Sequence, residues 1–357
     1  MKTDKIKIGI LGATGMVGQR FISFLQNHPY FEIKMLAASK HSAGYKYKDV
    51  CNWALETPMP LDVKDQIIIN TEIDEIIKKD VKIVFSALPG NLAGDIENKC
   101  AEDGIIVCSN ASAHRMDKDV PLVIGEVNPE HLQLIQTQKK NKNRKGAIIT
   151  NPNCSVIQLA LSLKPLDDAY GVEKIIVSTM QALSGAGRGG VAAFDILDNV
   201  IPYIDGEEEK IEEESKKILG VFDKDKIINH KILVSASANR INVLDGHTEC
   251  VFCQLKKQPK NIDEVKNIFK NYKSMPQELN LPSAPKNPII VIDDGFRPQP
   301  RYDRMKENGM AISIGRIRQD NCLGGIKYVC VGHNAIRGAV GASVLNAELF
   351  VKKYFDF

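Results

Sequence analysis

Short apolar runs alternate with longer mixed stretches through the first 150 residues. Residues 5–11 carry Ile6, Ile8, Ile10 and Leu11, and similar runs recur at 32–38, 81–88, 105–108 and 147–150. Between the first two runs, residues 17–26 set Phe21, Phe24 and Leu25 on one side of a helix. Nearly continuous apolar strands separated by helical segments predict a parallel sheet covered on both faces, hence an α/β unit. After residue 153 the pattern changes. Residues 156–163 form an apolar helical run, 175–181 is strand-like, a helix is predicted from 191, and 231–236 and 249–255 read as antiparallel strands. Residues 207–219 are dense in acid and then lysine, which reads as an exposed helix. The apolar-rich stretch 335–357 is predicted to be a helix that returns to the first unit. The chain therefore divides into 1–152, completed by 335–357, and 153–334.

The turns that close these strands carry the chemistry. Gly12-Ala13-Thr14-Gly15-Met16-Val17-Gly18 follows the first strand and opens the first helix. Glycines there let the backbone approach a pyrophosphate seated on a helix N-terminus, so Gly12, Thr14, Gly15, Met16 and Val17 are candidate dinucleotide contacts. The second strand ends in Ala38-Ser39-Lys40, with no carboxylate for a ribose hydroxyl. Ser39 and Lys40 suit a 2′-phosphate, which predicts NADP; the alternative is that they merely begin a solvated loop through 47. Two further turns, Ser86-Ala87-Leu88-Pro89-Gly90 and Ser109-Asn110-Ala111-Ser112, stand at carboxyl ends of strands and are placed to line the same crevice. Arg115 could hold an anion there or be an exposed helix arginine.

Asn151-Pro152-Asn153-Cys154-Ser155 is a polar turn wedged between an apolar strand and an apolar helical run. A cysteine at a helix N-terminus meets unpaired N–H groups and the positive end of the dipole, which favour a thiolate nucleophile. A small buried hydrophobe is the alternative, but Pro152 and the two asparagines suit a core strand poorly. Gln181 stands at the mouth of a glycine-rich turn that includes Ser184 and Gly185. Seven positions separate Arg240 from His247, across a turn containing Asp245 and Gly246.

With 357 residues the chain can build two cores, and a net charge of +3 is too small for a nucleic-acid or membrane surface. The expected partner is a small molecule. No basic-then-apolar leader and no run approaching the ~20 residues of a membrane span is visible, and the eight cysteines are scattered. The expected location is the cytoplasm, with reduced thiols. Cys250 and Cys253 have C-x-x-C spacing but fall in an extended run where they would point to opposite faces, so no metal is expected.

In order and spacing, the glycine loop 12–18, Asn153-Cys154, Gln181 with Ser184-Gly185-Ala186-Gly187, Arg240 with His247, and Asn334 followed by Arg337-Gly338 make the chain resemble aspartate-β-semialdehyde dehydrogenases over nearly its full length. Residues 39–47 and 201–210 look like the archaeal and fungal branch. The resemblance implies an N-terminal Rossmann domain plus an α/β catalytic and dimerisation domain with a mixed sheet, similar to glyceraldehyde-3-phosphate dehydrogenase. It also implies a homodimer or homotetramer. By the same resemblance Cys154 would attack β-aspartyl phosphate and form a thioester that NADPH reduces to the semialdehyde, and His247 would move the protons. Arg240 would take the substrate carboxylate and Gln181 would orient the substrate. Arg115 and Lys217 would meet phosphate, Glu214 the substrate amino group, Asn153 the substrate, and Asn334 the nicotinamide carboxamide. The rival readings are an N-acetyl-γ-glutamyl-phosphate reductase, a malonyl-CoA reductase and a non-catalytic dinucleotide-sensing protein.

Overall fold

The computed structural model describes residues 5–354. The first four residues of the N-terminal unit and the last three of the expected C-terminal helix lie outside the described residues.

Six short strands form the first sheet: β1 (Ile6–Leu11), β2 (Phe31–Ala38), β3 (Ile69–Asn70), β4 (Ile83–Ser86), β5 (Ile106–Ser109) and β6 (Ala147–Thr150). All pair in parallel, in the order β3-β2-β1-β4-β5-β6, so the strand order reverses between β1 and β4. That reversal opens a crevice at the carboxyl ends of the strands. Register aligns those ends: Leu11 lies beside Ala37 and Ser86, Ser86 beside Ser109, and Ser109 beside Thr150. The glycine loop, the two small polar turns and the Cys154 turn consequently leave the sheet along one edge. This is a Rossmann fold.

The second sheet is built from β7 (Val172–Gln181), β8 (Val200–Ile201), β11 (Leu233–Ile241), β12 (His247–Leu255), β13 (Ile289–Ile292), β14 (Ile312–Asp320) and β15 (Gly325–Gly332). Its order is β13-β14-β15-β12-β7-β11-β8 and its pairing is mixed. A separate ribbon pairs β9 (Val221–Asp223) with β10 (Lys226–Ile228). The strands around Arg240 and His247 run in opposite directions, as expected, but do not pair. β7 lies between them, parallel to β11 and antiparallel to β12. Residues 242–246 step over the end of β7, a span of about two strand spacings, or ~10 Å.

Helix Cys154–Tyr170 joins the two halves and is buried nearly all round, including Val156, Ile157, Leu159, Ala160, Leu161 and Leu163. It runs on through Pro165, past the expected stretch, and buries Leu166 and Tyr170. Helix Gly341–Tyr354 sends Val344, Leu345, Leu349 and Phe350 into the core that holds Ile8, Ile10 and Phe85 of the first sheet. The helix expected from 191 is reduced to Ala193–Ile196, whose Phe194 is fully exposed.

The acidic stretch differs from expectation. Helix Glu207–Ile218 buries Glu207, Ile211, Glu214 and Ile218, together with Ser215 and Lys217. A spacing of four, three and four residues makes one helical stripe, which packs inward in spite of its charges.

Candidate active site

Cys154 is the first residue of its helix, and Asn153 is the cap. The Asn153 Oδ1 accepts the backbone N–H groups of Ser155 (2.9 Å) and Val156 (3.4 Å), which caps the helix that carries the sulfur. Gly338 backs onto the cysteine: a Cβ there would lie 2.9 Å from Cys154 Cβ. The thiol is thus held from the cap and from behind.

Cys154 Sγ stands 3.2 Å from His247 Nε2. On the far side of the ring, the Ala182 N–H donates to His247 Nδ1 at 3.0 Å. An Nδ1 that accepts cannot carry the proton of a neutral ring, so Nε2–H points at the sulfur. Burial, with Arg240 and His333 nearby, pushes His247 down to about 3. Burial and then Glu207 push the Cys154 thiol up to about 12, against Arg115, Arg240 and the Ser155 N–H. The sequence favoured a thiolate; at this depth desolvation opposes the helix end, raising the thiol and lowering the imidazole, so burial favours the neutral form of each.

The second sheet delivers the remaining groups by register. Arg240 on β11 lies directly beside Gln181 at the end of β7. Arg240 is buried and donates to the Ala182 carbonyl at 2.7 Å. Gly185 approaches both Arg240 and His247 so closely that a Cβ would meet them at 2.9 and 3.2 Å. Gln181 donates to Glu207 Oε1 at 3.2 Å.

Arg115 is buried, not an exposed helix arginine. It donates to Glu214 Oε1 (2.9 Å) and the Asn110 carbonyl (2.8 Å), while its Nε has no partner. Glu214 Oε2 accepts the Asn153 N–H at 2.7 Å, so both carboxylate oxygens are engaged within the chain. Lys217 departs from expectation. Its ammonium donates to the carbonyls of Arg115 (2.7 Å), Asp117 (2.8 Å) and Val120 (2.8 Å), which uses all three donors and leaves none for a phosphate. Glu207, which the sequence reading missed, bridges Asn153 and Gln181 through one oxygen. Its stripe with Ile211, Glu214 and Ile218 was the available signal.

The glycine loop and the polar turns proposed for a dinucleotide leave the first sheet at the carboxyl ends of its strands. Gly12 has φ +76°, and a Cβ there would strike the Ala87 carbonyl oxygen at 2.7 Å, just ahead of Leu88 and Pro89. Gly18 seats the helix on the loop, since a Cβ would fall 2.3 Å from the Gly12 oxygen. Helix Met16–Phe24, which carries Val17, begins at Gly15 without a side-chain cap, so its first N–H groups remain for an anion. Ser39 and Lys40 are exposed at the end of β2. Ser86 is fully buried at the end of β4, with its hydroxyl toward the Glu97 carboxyl. Asn334 donates to Ser184 Oγ and accepts the Gly246 N–H, both at 2.8 Å, which leaves one amide N–H free. Met16 and Ser184 line a cavity of about 580 Å³ between the two halves, crossed by the Arg20–Asp245 pair. These residues fit NADP: a capless helix N-terminus behind a glycine turn for the pyrophosphate, and a hydroxyl and an ammonium for the 2′-phosphate.

Residues 7–135 match the semialdehyde dehydrogenase NAD binding domain family and residues 163–337 the semialdehyde dehydrogenase dimerisation domain family. An aspartate-semialdehyde dehydrogenase of Methanothermobacter thermautotrophicus is 51% identical over 96% of this chain and 98% of its own. One of Saccharomyces cerevisiae is 44% identical over 97% of each. The crystal structure of aspartate semialdehyde dehydrogenase with NADP from Candida albicans superposes with a TM-score of 0.89 at 41% identity, covering 97% of this chain and 98% of that one. The chain belongs to the aspartate-semialdehyde dehydrogenase family.

Proposed function

We infer that the chain catalyses NADPH-dependent reductive dephosphorylation of β-aspartyl phosphate to aspartate β-semialdehyde. The observation that carries this is the 3.2 Å approach of Cys154 Sγ to His247 Nε2 at a helix head faced by Arg240 and Gln181. The Cys154 sulfur attacks the acyl carbonyl; the C–O bond to phosphate breaks, and the departing phosphate carries away the thiol proton, leaving a thioester. NADPH, when bound, supplies the hydride that reduces this thioester. His247 Nε2–H serves the oxygen of the tetrahedral species as a hydrogen-bond donor, and Nε2 becomes a base only when the ring gives up the Ala182 N–H.

Arg240 suits the substrate carboxylate, because one guanidinium edge is fixed on Ala182 and the other remains for a paired contact. Arg115 suits the phosphate, with Nε unspent in a buried setting. Lys217 fastens the carbonyls of the segment that carries Arg115, and so acts on phosphate through it. Glu214 orients Arg115 and Asn153, and Asn334 with Ser184 holds the carboxamide end of the cofactor.

Aspartate semialdehyde is a precursor of lysine, threonine, methionine and isoleucine, so the proposed role is in aspartate-family biosynthesis, with the cytoplasm as the proposed location. A homodimer, or a tetramer of such dimers, is the working assembly. Phe194, Leu197, Val200 and Tyr203 form an exposed apolar patch about the edge strand β8 that a second copy would cover. Light scattering on the purified protein reads this number.

One assay tests the reaction. The protein is given NADP with either aspartate semialdehyde and phosphate or malonate semialdehyde and CoA, and cofactor reduction is followed. Turnover with the first pair is expected. Turnover with the second alone identifies a malonyl-CoA reductase, and none with either leaves a dinucleotide-binding protein.

A further inference from the structure

His247 is aimed by the turn that delivers it, residues 242–246. Within the second half of the chain this turn is held along its backbone. The Leu183 and Ser184 N–H groups donate to the carbonyls of Val243 (2.7 Å) and Leu244 (3.1 Å). Arg304 donates to the Asp245 carbonyl at 2.9 Å, and the Gly246 N–H donates to Asn334 Oδ1 at 2.8 Å. Gly246 has φ +99°, and a Cβ there would lie 3.1 Å from Pro300 Cβ and 3.2 Å from Arg304 Cβ, so the turn is pressed onto residues 300–304. A further hold crosses to the first half. Arg20 Nη2 stands 3.2 and 3.4 Å from the two Asp245 carboxylate oxygens, and both side chains are largely buried. Arg20 lies about one turn past Met16 on the helix whose capless N-terminus is offered to the cofactor diphosphate. Asp245 also meets the cofactor side of the crevice: Asn334 Nδ2 donates to Ser184 Oγ, and the Ser184 proton turns to the carboxylate. Burial works against the charge on Asp245, but Ser184, Arg20, His333 and Arg304 together hold its carboxyl below the ordinary range.

We propose that Asp245 is a positioning residue of the reaction: through Arg20 it ties the turn that aims His247 to the helix that seats the cofactor. This rests on the reading of His247 as the donor to the tetrahedral oxygen. The first half of the chain places the cofactor and the second places the imidazole, so the geometry of transfer depends on how the halves stand to one another. Arg115–Glu214 crosses between them on the phosphate side of the sulfur, and Arg20–Asp245 crosses on the cofactor side. Removing either member of the second pair leaves the other without its counter-charge and frees the turn from the cofactor helix. A shift of about 1 Å in His247 would open its 3.2 Å contact with Cys154 Sγ, and misplacement of that size lowers rates by as much as ~10²-fold.

A double-mutant cycle read by single-turnover kinetics tests this. Protein is mixed rapidly with NADP and aspartate semialdehyde without phosphate, so the burst of reduced cofactor reports chemistry rather than product release. Arg20→Met and Asp245→Asn should each slow the burst about tenfold and weaken NADP, by fluorescence titration, about three- to tenfold. The double variant should be no slower than the slower single, because the two side chains act as one unit. Arg20→Lys keeps the charge and should hold the burst within about threefold of wild type. A pair that served stability alone would lower Tm and leave burst rate and NADP affinity at wild-type values, which overturns the proposal. Losses that multiply in the double variant overturn it as well. Should Asp245→Asn not fold, Arg20→Met decides alone: a burst within about twofold of wild type contradicts the tie. Wild-type protein that gives no burst would instead sink the functional reading, and the same cycle on NADP affinity would then judge the pair, with additive losses against it.

Discussion

Gly338→Ala tests how tightly the sulfur is placed. The added methyl would sit 2.9 Å from Cys154 Cβ, 3.1 Å from its Cα and 3.2 Å from its carbonyl oxygen. Carbon atoms in contact rest ~3.5–4.0 Å apart, so the cysteine or the 336–340 turn must move by about 0.5–1 Å. All three of the nearest atoms belong to Cys154, and the turn is itself held by a Gly338 N–H bond to the His333 carbonyl at 3.0 Å. The expected overpacking cost is about 1–3 kcal/mol. The expected catalytic cost is larger in proportion, because a displacement near 1 Å at the reacting atom lowers rates by as much as ~10²-fold. Phosphate-dependent oxidation of aspartate semialdehyde should show kcat down ~10- to 100-fold, with a smaller change in NADP affinity. A folded Gly338→Ala protein with kcat within about twofold of wild type would refute the reasoning, since the sulfur would then tolerate a shift that the 3.2 Å contact with His247 does not allow.

Replacing Ser39 and Lys40 together with apolar residues should weaken NADP ~10- to 100-fold and leave NAD nearly unchanged, by fluorescence titration; equal losses would remove them from the 2′-phosphate. Lys217→Met should lower Tm and raise KM for phosphate and semialdehyde together, because it releases three carbonyls beneath Arg115; a rise for phosphate alone with Tm unchanged would return Lys217 to direct contact. Burial pushes His131 down to about 4, with Nδ1 near Asn128 Nδ2 and Nε2 donating to the Gly220 carbonyl, so below pH ~6.5 the unfolded chain binds a proton that the folded chain refuses. This stability is complete above pH ~6.5 and falls as pH drops toward 4. In urea titrations wild type should lose about 2 kcal/mol more than His131→Gln between pH 6.5 and 5, and parallel losses would contradict it.

The Rossmann half was legible because its signals are local: apolar runs, and a glycine loop that must follow one strand and open one helix. The second sheet was less so. The sequence showed antiparallel strands about Arg240 and His247 but not their partners: β11 takes β7 as its parallel partner, and no local pattern announces a pairing between Ala238 and Thr179. The acidic helix misled for a different reason. Glu207 and Glu214 stand two turns apart with Ile211 and Ile218, but the surrounding glutamates hid that stripe. Lys217 was beyond reach of sequence, since its three carbonyls lie about a hundred residues away and decide whether the ammonium is free. The thiol followed the same logic, because its helix end is visible in sequence while the burial that outweighs it is not.

The central claim, a covalent acyl step on Cys154, is tested most directly by withholding phosphate. Protein mixed rapidly with NADP and aspartate semialdehyde in phosphate-free buffer should release a burst of about one reduced cofactor per site and then stop. Peptide mass should show the acyl group on Cys154, and added phosphate should discharge it and restart turnover. A burst in Cys154→Ala, or an acyl group on another residue, would contradict the account.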